Sequence, residues 1–150
     1  MRVYLDMCCL KRPFDDQSQP RIHLESEAVL ALLSVAGEKV EFLRGAALDL
    51  ENDQNPLVQR AAKARLWLET LPPLNAPDFS LSDRTKELIK MGFKAFYALH
   101  VASAEVLAAD ALSTCDDRLL GTAKRHASFL KVRVVNPIDL AREILKWALF

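Results

Sequence analysis

The chain has 150 residues, 51% apolar and 27% charged, a balance that fits one globular domain with a full hydrophobic core. With only 4 Gly and 7 Pro, the composition excludes collagen-like and low-complexity classes. Lys+Arg and Asp+Glu each number 20, so the net charge is +0; a uniformly basic coat for nucleic acid is excluded, and only a local patch remains available.

Residues 2–5 form a short apolar run that ends in Asp6, and they read as a buried strand. The acid stops the run before a signal-peptide core develops, so no secretory signal is expected. Residues 7–20 read as a loop broken by Pro13, Asp15, Asp16 and Pro20. Apolar residues at helical spacing predict a helix over 22–36, stopped by Gly37. A second strand is expected over 39–43, then a helix over 46–53. Asn55 followed by Pro56 predicts the start of another helix, running to about Glu69. Residues 71–74, Leu-Pro-Pro-Leu, read as an extended connection. The Ser80 to Asp83 spacing is a capping box opening a helix to Met91, with Gly92 after it.

Residues 93–110 read as a largely buried helix because apolar residues occupy nearly every side of it. A strand over 111–114, a helix over 118–127 and a strand over 131–135 follow. Asn136-Pro137 caps a last helix. No stretch approaches the roughly 18 apolar residues of a membrane span, and a cytoplasmic protein is expected. The alternation of strands and helices predicts an α/β fold with a parallel sheet and helices on both faces, in one domain over 1–150.

In such sheets ligands bind beyond the carboxyl ends of the strands. Asp6 closes the first strand and Asp116 follows the third. Two carboxylates at neighbouring strand ends repel unless a proton or a shared cation intervenes, and a hard divalent cation suits oxygen ligands. A third acid is expected from the helix over 46–53, where Asp49, Glu51 and Asp53 compete. Glu51 has Ala47 and Leu48 one turn back and is placed on the inward edge, with Asp49 and Asp53 outward. The plain alternative is that the strand-end acids form turns, and that Asp116 and Asp117 merely cap the next helix.

These segments resemble the PIN-domain family. Val3-Tyr4-Leu5-Asp6 is similar to its opening strand, Leu48-Asp49-Leu50-Glu51 to its second motif, and residues 92–104 (GFKAFYALHVASA) to its central helix. Leu112-Ser113-Thr114-Cys115-Asp116-Asp117-Arg118-Leu119-Leu120 is similar to its third acidic motif. The resemblance spans essentially the whole chain. It implies a three-layer α/β/α sandwich and a Mg²⁺- or Mn²⁺-dependent endoribonuclease, commonly the toxin of a VapC-type toxin–antitoxin pair. It implies an acidic cluster of Asp6, Glu51 and Asp116, with Asp117 auxiliary at the metal. It also implies RNA as substrate, a cognate antitoxin as partner and a homodimer.

The chain departs from the family pattern at two positions. Tyr97 stands where an Asp usually precedes Ala-Leu-His, and Cys8 stands where Ser, Thr or Asn is usual. A phenol is neutral at pH 7 and does not replace a carboxylate for Mg²⁺. A weakened nuclease, or a PIN-fold binding protein without catalysis, is therefore expected. Lys11, Arg12 and Arg21 after the first strand, and Arg118, Lys124 and Arg125 after the third, are candidate phosphate contacts.

His100 lies one turn after Tyr97 and reads either as a proton-transfer group or as a structural histidine. Cys8, Cys9 and Cys115 lack C-x-x-C spacing, which points to inert reduced thiols rather than a disulfide framework or zinc motif. The absence of G-x-G spacing argues against a nucleotide-binding or receiver-like domain. The apolar end Trp147-Ala148-Leu149-Phe150 is the sequence feature that fits dimerisation.

Overall fold

In the sheet, β1 (Arg2–Leu5) lies between β2 (Glu41–Leu43) and β3 (Ala111–Ser113), and β4 (Arg133–Val135) forms the far edge. The structure is a computed structural model and describes residues 1–71 and 79–146. The sheet has 4 strands in the order β2-β1-β3-β4, and every pairing is parallel. Val3, Tyr4 and Leu5 are all fully buried. Successive strand residues point to opposite faces, so both faces of β1 are covered, as a central parallel strand requires. The edge strands differ, each placing one charged residue, Glu41 or Arg133, in solvent.

Parallel neighbours need crossovers. Between β1 and β2 run α1 (Met7–Lys11), a 3-10 turn at Arg12–Phe14 and α2 (Pro20–Ser34). Between β2 and β3 run α3 (Ala46–Asp53), α4 (Val58–Leu68), α5 (Phe79–Met91) and α6 (Ala95–Val106). The chain then continues through α7 (Asp117–Arg125) to β4 and ends in α8 (Pro137–Leu145). α2 packs on α8, while α6 packs on α5 and α3. Ala98, Val101, Ala102 and Ala104 are buried and bring α6 into the core beside β1 and β3. Among the described residues no helix is long and apolar enough to cross a membrane.

The sequence reading needs correction at four places. Residues 7–20 are not a plain loop: Asp6 accepts a hydrogen bond from Met7 N at 2.7 Å and starts α1, whose Met7, Cys9 and Leu10 are buried. A capped turn with three anchors in the core overrides the breakers that follow it. Pro20 does not break structure either; it opens α2 in the first turn, where no N–H partner is needed. α4 begins at Val58, because Asn55 uses its side chain to accept from Leu57 N in a turn before the helix. α6 ends at Val106, since Ala108 turns left-handed at φ 55 and redirects the chain into β3. The connection beyond Leu71, the Ser80 side chain of the capping box and residues 147–150 lie outside the described residues.

Candidate metal centre at the carboxyl ends of the central strands

The connection leaving β1 runs toward β2, and the one leaving its other neighbour, β3, runs the opposite way toward β4. A crevice opens at such a reversal, beyond the carboxyl ends of the two strands. Leu5 is in register with Ser113, and Asp6 N continues the ladder by donating to Ser113 O at 2.9 Å. The turns carrying Asp6 and Asp116 are therefore held side by side by backbone hydrogen bonds.

Asp6 is buried, with 4% of its surface exposed. Its Oδ1 accepts from Met7 N, and its Oδ2 accepts from the Thr114 hydroxyl at 2.8 Å and from the Cys8 thiol at 3.3 Å. Burial, then the neighbouring Cys8 and Glu51 charges, push the Asp6 carboxyl well above its ordinary value, against the pull of His100 and Thr114. Thr114 also accepts from Asp116 N at 3.1 Å and so ties the two turns together.

α3 delivers the second carboxylate. Glu51 reaches the imidazole of His100, with Oε2 at 2.9 Å from Nε2. Asp49 turns away into an ion pair with Arg44 at 2.8 Å, and Asp53 into one with Arg65 at 2.6 Å. His100 comes from the buried face of α6 and is 1% exposed. Its Nε2 is also 3.6 Å from Asp6 Oδ1, and its Nδ1 is 2.8 Å from the Tyr4 hydroxyl. Burial works against the imidazolium, but the Glu51 hydrogen bond and the charges of Asp6 and Glu51 outweigh it and hold His100 above its ordinary value.

Burial and the same carboxylates keep the Tyr4 phenol neutral, with its pKa well above its ordinary value. Tyr4 can therefore donate to neutral His100 or accept from its protonated form, and the ring is satisfied in both states. Gly45 makes room for this arrangement: a Cβ there would lie 2.8 Å from Tyr4 Cε2.

The donor atoms of Asp6, Glu51 and His100 all lie within 4.8 Å of one another, so this buried group can hold a metal ion. Asp116 stands outside that group. It caps α7, accepting from Arg118 N at 2.8 Å and Leu119 N at 3.3 Å, and Tyr97 donates its phenolic hydrogen to the other carboxylate oxygen. Burial and then the Asp116 bond raise the Tyr97 pKa, so the phenol stays a donor. Tyr97 and His100 thus serve different acids although they sit one turn apart on α6. Asp117 does not face the group either; it is exposed and takes both nitrogens of Arg21, each at 2.8 Å. That ion pair holds Asp117 below its ordinary value.

The candidate phosphate contacts divide. Arg118 is exposed on the first turn of α7, and Lys11 is half-buried at the end of α1. Arg12 is drawn inward instead, 3.1 Å from Asp15 and 3.4 Å from the fully buried Glu25. Arg21 is occupied by Asp117. The free cations of the rim are therefore fewer than spacing alone suggests.

Sequence reasoning missed Tyr4 and Thr114 as supports of the acids, and it did not place His100 among the metal donors. A tyrosine inside a strand and a threonine before Cys115 look like ordinary sheet residues. Only the strand register and the approach of α6 give them partners.

The thiols also converge. Cys9 Sγ is 3.6 Å from Cys115 Sγ, and Cys115 N donates to Cys8 Sγ at 3.3 Å. Hydrogen bonds from Cys8 and Cys9 hold the Cys115 thiol low, helped by Arg12, while burial holds the Cys9 thiol high. No family model, curated protein or solved structure matches the chain.

Proposed function

We infer that this chain is a divalent-metal-dependent endoribonuclease with a PIN-like three-layer α/β/α sandwich. The observation that carries the reading is the convergence of Asp6, Glu51 and His100 at the point where the crossovers reverse direction. The donor set fits a divalent cation on its own chemistry. Asp6 is a buried carboxyl with no Lys or Arg partner among the described residues, and Glu51 supplies a second oxygen donor nearby. Two carboxylates suit Mg²⁺ or Mn²⁺, and the adjoining imidazole favours Mn²⁺ of the two. When bound, the cation supplies Lewis acidity toward a phosphate oxygen and lowers the pKa of a bound water.

The remaining work falls to side chains. Asp6 and Glu51 hold the cation, and the Thr114 hydroxyl fixes the Asp6 rotamer. His100 would add Nε2 to that donor set, oriented by the Tyr4 hydroxyl at its other nitrogen. Arg118, Lys11 and Lys124, which form no ion pair among the described residues, contact the RNA backbone. Asp116 waits behind the Tyr97 hydroxyl, which costs the crevice one available carboxylate oxygen and slows turnover.

That last contact also favours a second reading, a PIN-like protein that binds without cleaving. One assay separates the two. Purified protein is incubated with a panel of structured RNAs in Mg²⁺, Mn²⁺ or EDTA, beside Asp6→Asn, Glu51→Gln and Tyr97→Asp. Cleavage that needs the cation and is lost in Asp6→Asn supports the nuclease. Silence in the parent with cleavage by Tyr97→Asp supports the binding protein on an intact scaffold. Cleavage unchanged by Asp6→Asn overturns the site assignment.

A further inference from the structure

The turns after β1 and β3 bring a second set of ligands together on the other side of Asp6. Cys8 and Cys9 lie in the first turn of α1, and Cys115 lies between β3 and α7, more than a hundred residues away in sequence. Their sulfurs nonetheless lie within 4.8 Å of one another. Cys9 and Cys115 are buried and Cys8 is half-buried, so the cluster is sheltered on two sides and reachable on one. We propose that Cys8, Cys9 and Cys115 form a three-thiolate site for Zn²⁺, with a fourth position open beside Cys8.

The spacing fits that ion. A tetrahedral Zn²⁺ with Zn–S bonds of about 2.3 Å holds its sulfurs about 3.8 Å apart. The Cys9–Cys115 separation is 3.6 Å, so little movement is needed to accept the ion. A disulfide, with sulfurs about 2.05 Å apart, requires a much larger approach.

The surroundings fit a bound thiolate as well. Cys115 N–H points at Cys8 Sγ, the kind of outer hydrogen bond that supports a ligating sulfur. Soft sulfur ligands select this ion, whereas the oxygen donors of Asp6 and Glu51 select harder ones, so the two neighbouring groups sort their metals by chemistry. Three protein ligands with an open fourth position is the arrangement of an exchangeable or reactive zinc rather than a closed structural one.

The test uses the full chain, metal-free and kept reduced, with Co²⁺ as a coloured stand-in for Zn²⁺. A thiolate-to-cobalt charge-transfer band saturating at one equivalent is expected. Zn²⁺ should bleach it, Cys115→Ser and Cys9→Ser should lose it, and Glu51→Gln should keep it. Because a serine in the core can unfold the chain, the native protein is also alkylated with and without Zn²⁺ and its labelled peptides mapped. Zn²⁺ should protect half-buried Cys8, and a chelator should restore its labelling. Absence of the band, equal labelling in both arms, or protection reversed only by a reductant would overturn the proposal. A band that persists in Glu51→Gln while RNA cleavage is absent keeps this site independent of the nuclease reading.

Discussion

The turn after β1 and the turn after β3 begin alike. Each parallel strand runs into an aspartate that caps the next helix: Asp6 caps α1 and Asp116 caps α7. From there they diverge. Asp6 is buried between a thiol, a hydroxyl and an imidazole, and burial raises its pKa. Asp116 is only partly covered, makes two cap hydrogen bonds and is occupied by the Tyr97 phenol. The same local device joins a group able to hold a metal ion at one strand end and stays bound to a helix cap and a phenol at the other. The partners supplied by α3 and α6 make the difference, not the cap itself.

The largest expected effect tests that difference directly. In an RNA-cleavage assay with Mn²⁺, Asp6→Asn should lower the rate by at least about a hundredfold, the scale of losing a catalytic donor. Asp116→Asn should cost less. If Asp116→Asn proves the more damaging, the two turns have been assigned the wrong way round.

Stability measurements sharpen the same contrast. Gly45→Ala drives a methyl into Tyr4 and should cost about 1–3 kcal/mol in a urea unfolding experiment, the usual range for an overpacked core. The ring that holds His100 is displaced too, so the Asp6 side should lose cation affinity while α7 stays folded. Asp116→Ala should cost about 1 kcal/mol through the lost α7 cap, with most of it restored by Asp116→Asn.

The pH dependence has a definite sign. His100 is held above its ordinary value of 6.5, so its contribution to stability is complete below 6.5 and is lost as pH rises through the raised value. Asp6 is raised as well and acts in the same direction, from its own ordinary value of 3.8 upward. In EDTA, the His100 contribution to unfolding free energy should therefore fall with rising pH, so His100→Gln should change the slope of the curve above 6.5. A profile unchanged by His100→Gln would remove the imidazole from the Asp6 and Glu51 group. The smallest effect belongs to the β3 side: Asp117→Asn weakens an exposed pair with Arg21 and should leave the unfolding midpoint nearly unchanged.

Much of the fold was legible because its signals are local. Val3 to Leu5 form a continuous apolar run ending in an acid, and the chain alternates strands with helical spacing, which leads to a parallel sheet. The inward side of α3 was legible too, since Glu51 follows Ala47 and Leu48 by one turn and faces inward toward His100. Residues 7–14 were not legible, because Pro13 and the following Asp15, Asp16 and Pro20 speak of a loop while burial of Met7, Cys9 and Leu10 decides otherwise.

The sequence by itself determined most of the element types and the acids at two strand ends, which depend on neighbours a few residues away. Tertiary structure alone decided who partners whom. The order β2-β1-β3-β4 places residues 6–9 beside 113–115, and α6 then lends His100 to Asp6 and Glu51 and Tyr97 to Asp116. It also drew Arg12 inward, tied Asp117 to Arg21 and gathered three cysteines whose spacing in sequence suggested no site. The physical reason is range: propensity and periodicity act over a turn or two, whereas the desolvation, hydrogen bonds and charges that make a site chemical come from side chains about a hundred residues apart.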